Sequence, residues 1–471
     1  MMNKLKKTLL TSITLLLTMG VATGCGESKD DNLLRVVVLD AGYGAAWIKT
    51  LEAKFEALHP EIDVDITAQY KAGDIIKKNL GSKKNLDDLY ISVGTDWKSY
   101  AAQGKFLDLT SFLDEQVDGV AVKDKVANEY KESLYFTKSS GEKACYRLPW
   151  TSGIGGIYYN KVLFEKYDWK VPTTFEELVT LCETINKDKK PAPDGENAIK
   201  PFAYTGANTD YFDYTVYDWW SQIVGVDAIK EFLKYKSYEN YDITKNETYA
   251  GLKIATKHWE ELFVSNGGES KNVIEGSTSK LAADAQKEFA NGYAAMMFNG
   301  DWLYNECLKY NISPETFQLG LMKTPIIPEA KEEYKDTSYV IGEDQYIAIP
   351  STSKKVDMAK EFIKLIISDE GCLTFTKEAN GFLAYNCDYT NSGIQDNYIN
   401  DAIALRNSYV NKFTNFSSNR KYLCNYIDIW CTGSNRPFVN LLNKTKTVDE
   451  AFSEIASTAK TQWQDWTNKS Q

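Results

Sequence analysis

The sequence predicts an α/β protein, built on parallel sheet and divided into two domains. Three observations lead there. Continuous apolar runs of strand length recur, as in Leu33 to Ala41 and Leu86 to Val93; such runs suit strands buried on both faces, the usual condition of parallel sheet. Between them lie stretches with apolar residues at helical spacing, which supply the crossovers that parallel strands need. The chain has 471 residues, and a single core stops growing at about 250–300 residues, so two domains are expected.

Taken in order, Leu33 to Ala41 is the first strand. Ala45 to Leu58 sets Trp47, Leu51, Phe55 and Leu58 on one helical face, and Pro60 stops the helix. Ile62, Val64 and Ile66 alternate with acids and read as the second strand. Leu86 to Val93 gives the third, and Asp96 to Gln103 a short helix ended by Gly104. A second region opens near Pro149. Gly153 to Asn160 reads as a strand, and Thr173 and Thr174 precede Glu176 and Glu177 at capping-box spacing, ahead of the stripe Leu178, Leu181, Cys182 and Ile185. Lys187 to Lys200, rich in Lys, Pro, Asp and Gly, reads as a surface loop. Phe212 to Gly225 is dense in aromatics, with Trp219 and Trp220 expected in the core. Lys287 to Tyr310 holds a helix, a strand at Ala294 to Phe298, and a second helix from Asp301. Tyr346 to Ile349 reads as a strand, Asp357 to Ile367 as an amphipathic helix, and Val448 to Trp466 as a terminal helix.

The formal net charge is −11. Nucleic-acid binders present a basic face to phosphates, so no nucleic-acid partner is expected. Thirty tyrosines offer flat apolar faces that carry a hydroxyl, which suits polar organic ligands. There is no CxxC, and His59 and His258 are the two histidines; neither a metal site nor any other cofactor is expected.

The N-terminus begins with Lys4, Lys6 and Lys7, continues through an apolar stretch to Met19, and reaches Val21-Ala22-Thr23-Gly24-Cys25. This is the pattern of a secretory signal peptide over residues 1–24. Cys25 after Gly24 resembles the lipidated cysteine of a bacterial lipobox, whose thiol is the nucleophile that takes the diacylglyceryl group. Residues 25–32 then read as a lipidated tether, and the expected location is the outer face of the cytoplasmic membrane, anchored through Cys25. No later apolar run reaches the roughly 18 residues of a spanning helix. Of the seven remaining cysteines, Cys182 and Cys307 read as core residues; the odd number leaves at least one free thiol within a single chain, and Cys424 and Cys431 are near enough in sequence to pair.

Several segments resemble family 1 extracellular solute-binding proteins, the group that includes maltose-binding protein. They are Gly156-Ile157-Tyr158-Tyr159-Asn160-Lys161, Pro172 to Leu178, Phe289 to Trp302, Ile347 to Pro350, Ala359 to Ile363, and Ser368 to Gly371. Their order spans about residues 33–466. The sequence departs from the family pattern where Leu86 precedes Asp87 and Asp88, and in the loop Asp40 to Ala45. The resemblance implies a two-lobed periplasmic-binding-protein-like fold of type II, with a ligand cleft between lobes joined by crossing hinge strands. Lobe 1 would be 33–152 plus 337–386, and lobe 2 would be 153–336 plus 387–471. It further implies a monomer that binds a carbohydrate, closes on it, and hands it to the permease subunits of an ABC transporter.

A pyranose has apolar C–H faces and a rim of hydroxyls, so its site needs aromatic planes together with acids or amides. By resemblance, Trp302 is the stacking residue, with Asp301 beside it as a hydroxyl acceptor or a helix N-cap. Asp96 and Trp97 match a position where the family places charged side chains on sugar hydroxyls. Asp210 and Tyr211 match a Glu–Tyr pair near the cleft. Tyr43 stands in the first strand-to-helix loop, where open α/β sheets take ligands. Trp430 falls where the family often has another stacking aromatic, and Glu343 precedes a crossing strand. No catalytic residue is assigned. The rival readings are a secreted glycoside hydrolase working with two carboxylates, and a binder of a peptide or polyamine.

Overall fold

The protein is described by a computed structural model over residues 31–415 and 446–469, apart from Thr95, Ser139, Tyr235, Asn266, Gly267, Asn311, Glu343, Thr390 and Asn391. Two sheets carry the architecture. The smaller has β1 (Leu33–Leu39) at its centre, paired in parallel with β2 (Asp63–Gln69) on one side and β3 (Leu89–Val93) on the other. A fourth strand, Gln345–Ala348, returns from far along the chain and adds antiparallel to β3. Successive side chains of a strand point to opposite faces. Val36, Val38 and Ile91 therefore pack with Trp47, Leu51 and Phe55 of α1 (Ala46–Leu58). Val37 and Tyr90 pack on the other face with Ala72 and Ile76 of α2 (Ala72–Leu80), and with Trp97 and Ala101 of α3 (Trp97–Ala102).

The sequence reading holds in outline here and needs three corrections. Leu58 ends α1 at 61% exposure, and Ile48 joins the buried face in its place. The third strand starts at Leu89 rather than Leu86, because Asp87 and Asp88 are drawn into side-chain bonds at its mouth: Asn79 and Tyr90 donate to Asp87, and the Arg35 amide and Ser353 hydroxyl donate to Asp88. The helix α2 was not foreseen.

The larger sheet runs Asn411–Phe413, Thr337–Ile341, Gly153–Asn160, Ala294–Gly300, Lys200–Ala203, and Leu319–Met322 also pairs with Gly153–Asn160. The predicted capping box is present: Thr174 accepts from the Glu177 amide while Glu177 reaches back, opening the helix Phe175–Asp188. Trp219 and Trp220 are core residues whose indole N–H groups donate to the Pro325 and Thr248 carbonyls. A disulfide joins Cys372 to Cys387, while Cys145, Cys182 and Cys307 are buried free thiols. Cys424 and Cys431 lie outside the described residues. No helix of the described residues is long and apolar enough to cross a membrane.

The chain passes between the sheets in short steps. Leu148 bridges to Ile347 on the smaller sheet, and Gly153 already pairs with Ile341 on the larger. The return runs from Ile341 to Gln345, so Thr337–Ile341 belongs to the larger sheet, whereas the sequence reading put these residues with the other lobe. Gly342 makes this turn at φ +129°, and a Cβ there would stand 2.2 Å from the Thr151 carbonyl oxygen; the close approach of the two crossing segments requires glycine. Each sheet has its own large hydrophobic core, and Trp302 packs against both.

Candidate functional site

Asp301 and Trp302 follow directly on the buried strand Ala294–Gly300 and precede the helix Leu303–Leu308. The Trp302 ring lies over Gly300, where a Cβ would stand 2.2 Å from a ring carbon. A Cβ on Gly42, in the loop after β1, would stand 2.7 Å from the Trp302 Cβ. One glycine from the larger sheet and one from a loop of the smaller-sheet lobe thus make room for one partly buried indole. Around it stand Tyr214, Tyr43 and Tyr211, with ring centroids 5.4, 6.4 and 6.5 Å away and all edge-on. Edge-to-face packing fixes ring orientation, so Trp302 is held in one attitude at the junction of the two lobes.

Asp301 does not cap the helix with its carboxylate. The Tyr43 hydroxyl donates to Asp301 Oδ1 at 2.6 Å, from the smaller-sheet loop to the larger sheet, and both residues are buried. Gly153 permits the pair: a Cβ there would come within 2.9 Å of Asp301 Oδ1 and 3.1 Å of the Tyr43 oxygen. Asp301 Oδ2 is buried and has no hydrogen-bond partner. Burial lifts this carboxyl to about 7 against the opposing bond from Tyr43, and burial with the Asp301 charge raises the Tyr43 phenol well above its ordinary value. Nearby, Asn305 donates to the carbonyls of Gly42 and Ala379 at 3.2 and 2.6 Å, a second tie between the two lobes.

Tyr43, Tyr211, Asp301 and Trp302 are therefore brought together. Asp96 and Trp97 are not: they are adjacent in sequence but face opposite ways. Asp96 is exposed and makes no capping bond to α3. It lines a cavity of about 300 Å³ at the carboxyl ends of β1 and β3. Trp97 is 1% exposed, edge-on to Phe136, with the Arg147 guanidinium stacked 4.7 Å from its ring centroid. It is a core residue in this arrangement, which corrects its assignment to the ligand. The backbone of Asp210 lies in the 3-10 turn Thr209–Phe212, but its side chain lies outside the described residues, as do Glu343, Trp430 and Cys25. Sequence reasoning missed Tyr214, Gly42 and Gly153. Tyr214 was signalled only by the aromatic density of its segment, and the glycines by nothing local.

Comparisons with known proteins bear on the family and the fold. The family described as "Bacterial extracellular solute-binding protein" matches residues 40–371. A multiple sugar-binding protein of Streptococcus mutans is 26% identical over 325 residues, covering 68% of this chain and 67% of that protein. Among solved structures, a chitin oligosaccharide binding protein superposes with a TM-score of 0.66 at 18% identity, covering 92% of this chain and 100% of that one. The GacH receptor of Streptomyces glaucescens, solved unliganded and with acarbose, gives 0.65 at 16% identity, covering 92% and 98%. At these identities the structural likeness establishes the two-lobed fold.

Proposed function

Because the chain belongs to the bacterial extracellular solute-binding protein family, we propose that it captures a carbohydrate between its lobes and delivers it to the permease subunits of an ABC importer, working as a monomeric binding protein and not as an enzyme. The observation that carries the carbohydrate reading is Trp302, partly buried, flanked by three tyrosines and packed against the cores of both lobes. An indole plane covers the C–H face of a pyranose, and the hydroxyl-bearing rings packed beside it suit the same kind of ligand. The naming of the S. mutans relative as a multiple sugar-binding protein supports the same reading. The lobes meet at the crossing segments near 149–152 and 342–344, and closure about these encloses the sugar.

The test is a thermal-shift panel of mono- and oligosaccharides. A ligand at 100 times its Kd stabilises the folded state by about 2.7 kcal/mol, a rise of a few degrees in Tm for a protein of this size. The same sugar should reduce the radius of gyration in small-angle scattering. Incubation with that sugar should yield no shortened products; hydrolysis would favour the glycosidase reading, and a panel with no response would remove the carbohydrate reading.

We also propose that Cys25 carries the lipid anchor, on the evidence of the Lys4-Lys6-Lys7 start, the apolar stretch and the Gly24-Cys25 junction. Two or three acyl chains, at about 0.8 kcal/mol per buried CH₂, hold a protein firmly on a membrane. Cys25→Ala should release the protein into the medium with sugar affinity unchanged. Retention of the variant in the membrane fraction after cell breakage would sink the anchor.

A further inference from the structure

We infer that the ligand is an oligosaccharide, one unit of which lies against Tyr70 in a pocket of the smaller-sheet lobe, apart from the unit at Trp302. The inference rests on the carbohydrate reading above. Tyr70 is 76% exposed. It is the first residue after β2, whose Gln69 pairs with Leu39, so it stands level with Asp40 at the carboxyl edge of the parallel strands. Open α/β sheets take their ligands at that edge. A single exposed aromatic is ordinary on a protein surface. This one borders the cavity of about 300 Å³ described above, at the lower end of the ~300–1,000 Å³ of small-molecule sites.

The chemistry of the walls fits a sugar unit. Tyr70 and Tyr100 supply aromatic surface, Asp74 and Asp96 accept from hydroxyls, and Lys71 and Lys77 donate to them. The Asp96 carboxylate is not used as a helix cap, which leaves its oxygens for the cavity. The same strand edge leads on to Trp302: Leu39 lines the cavity, and Gly42, three residues later, touches the indole. The loop from Asp40 to Tyr43 thus links the two aromatic surfaces along the chain. The Tyr70 cavity does not include Trp302 among its walls, and linked sugar units lying across the loop would meet both surfaces.

The experiment is titration calorimetry on the wild type, Tyr70→Ala and Asp96→Asn. The probes are four length series: N-acetylglucosamine to chitotetraose, xylose to xylotetraose, glucose to maltotetraose, and galactose, melibiose and raffinose. In the series that binds, the wild type should hold the longer sugars at least tenfold more tightly than the monosaccharide. Tyr70→Ala should weaken the longer sugars by about 10- to 100-fold, the loss of one aromatic contact, and leave any monosaccharide binding unchanged. Asp96→Asn should follow the same length dependence. Tyr70 is exposed, so the Ala variant should melt with the wild type, and that is checked first. Equal affinity for monosaccharide and oligomer, an unaltered oligomer affinity in Tyr70→Ala, or an equal loss at every length would each overturn the inference while leaving carbohydrate capture intact. No binding in any series overturns the capture reading and the inference with it.

Discussion

Trp302→Ala should weaken sugar binding by about 2–4 kcal/mol, the cost of truncating a central aromatic anchor, which is roughly a 30- to 1,000-fold loss in affinity. The sequence alone left Trp302 as either a ligand platform or a core residue. The structure gives it a share in the packing of both cores and leaves it partly exposed, and the proposed platform role uses that exposed part. Removing it should therefore also lower Tm. That loss should stay below the ~3–5 kcal/mol of a fully buried Trp→Ala change, because the ring keeps part of its surface in solvent. Trp302→Phe should recover much of the stability and part of the affinity. Gly300→Ala offers an independent route to the same end. Its new methyl would stand 2.2 Å from the present ring position, so the indole must move even though no aromatic surface is deleted. Calorimetry well below Tm separates the two contributions. A folded Trp302→Ala protein that binds sugar within threefold of the wild type would remove Trp302 from the site.

The parts of this molecule that were legible in the sequence are those whose signal is local. Leu33–Leu39, Leu89–Val93 and Ala294–Gly300 are nearly continuous apolar runs, and Thr174 with Glu177 carries its cap within four residues. Asp301 and Trp302 were legible through the segment they close. The helix Ala72–Leu80 was missed because its buried face is only Ala72, Ile76 and Leu80 among lysines and a glycine. Trp97 was misassigned because proximity to Asp96 was read as common purpose, whereas adjacent positions on a helix point in different directions. The Tyr43–Asp301 bond joins residues 258 apart in sequence, and the Cys372–Cys387 bond is one choice among many pairings. Neither has a local signature. The first follows from where the crossing segments bring the two sheets together, the second from packing within the smaller-sheet core, and both become visible only once the chain is folded.

Two buried carboxyls give the second large effect: Tm should fall as pH rises from 5 to 8. Asp218, in the helix Asp213–Val224, is 0% exposed and accepts from the Thr324 hydroxyl and the Tyr339 amide. Burial still lifts its carboxyl to about 7, and the titratable group facing it is the Tyr409 phenol. Asp301 is lifted to the same region, facing Tyr43, Tyr130, Tyr158 and Tyr398, with the Arg406 charge opposing the rise. An unfolded Asp releases its proton near 3.9. Between about 4 and 7 the folded chain holds protons that the unfolded chain has lost, so stability is fully present below the unfolded value, declines with rising pH, and levels off above 7. The carboxyls held low by bonds or ion pairs, such as Asp118, Glu177 and Glu231, act in the opposite sense and only as pH falls toward their own range, outside this window. The expected decline is on the order of a few kcal/mol. Asp218→Asn keeps an acceptor for the Tyr339 amide and a donor for Thr324 but carries no charge. It should melt above the wild type at pH 8, lose that advantage at pH 5, and leave the pH dependence of sugar affinity as it was. Asp301→Asn should remove the other share of the slope. Because its bond to Tyr43 spans the two lobes, it alone should also flatten the affinity profile across the same range. A wild-type Tm that is level from pH 5 to 8, or a slope that survives in the double Asn variant, would show that these carboxyls are not the groups that titrate.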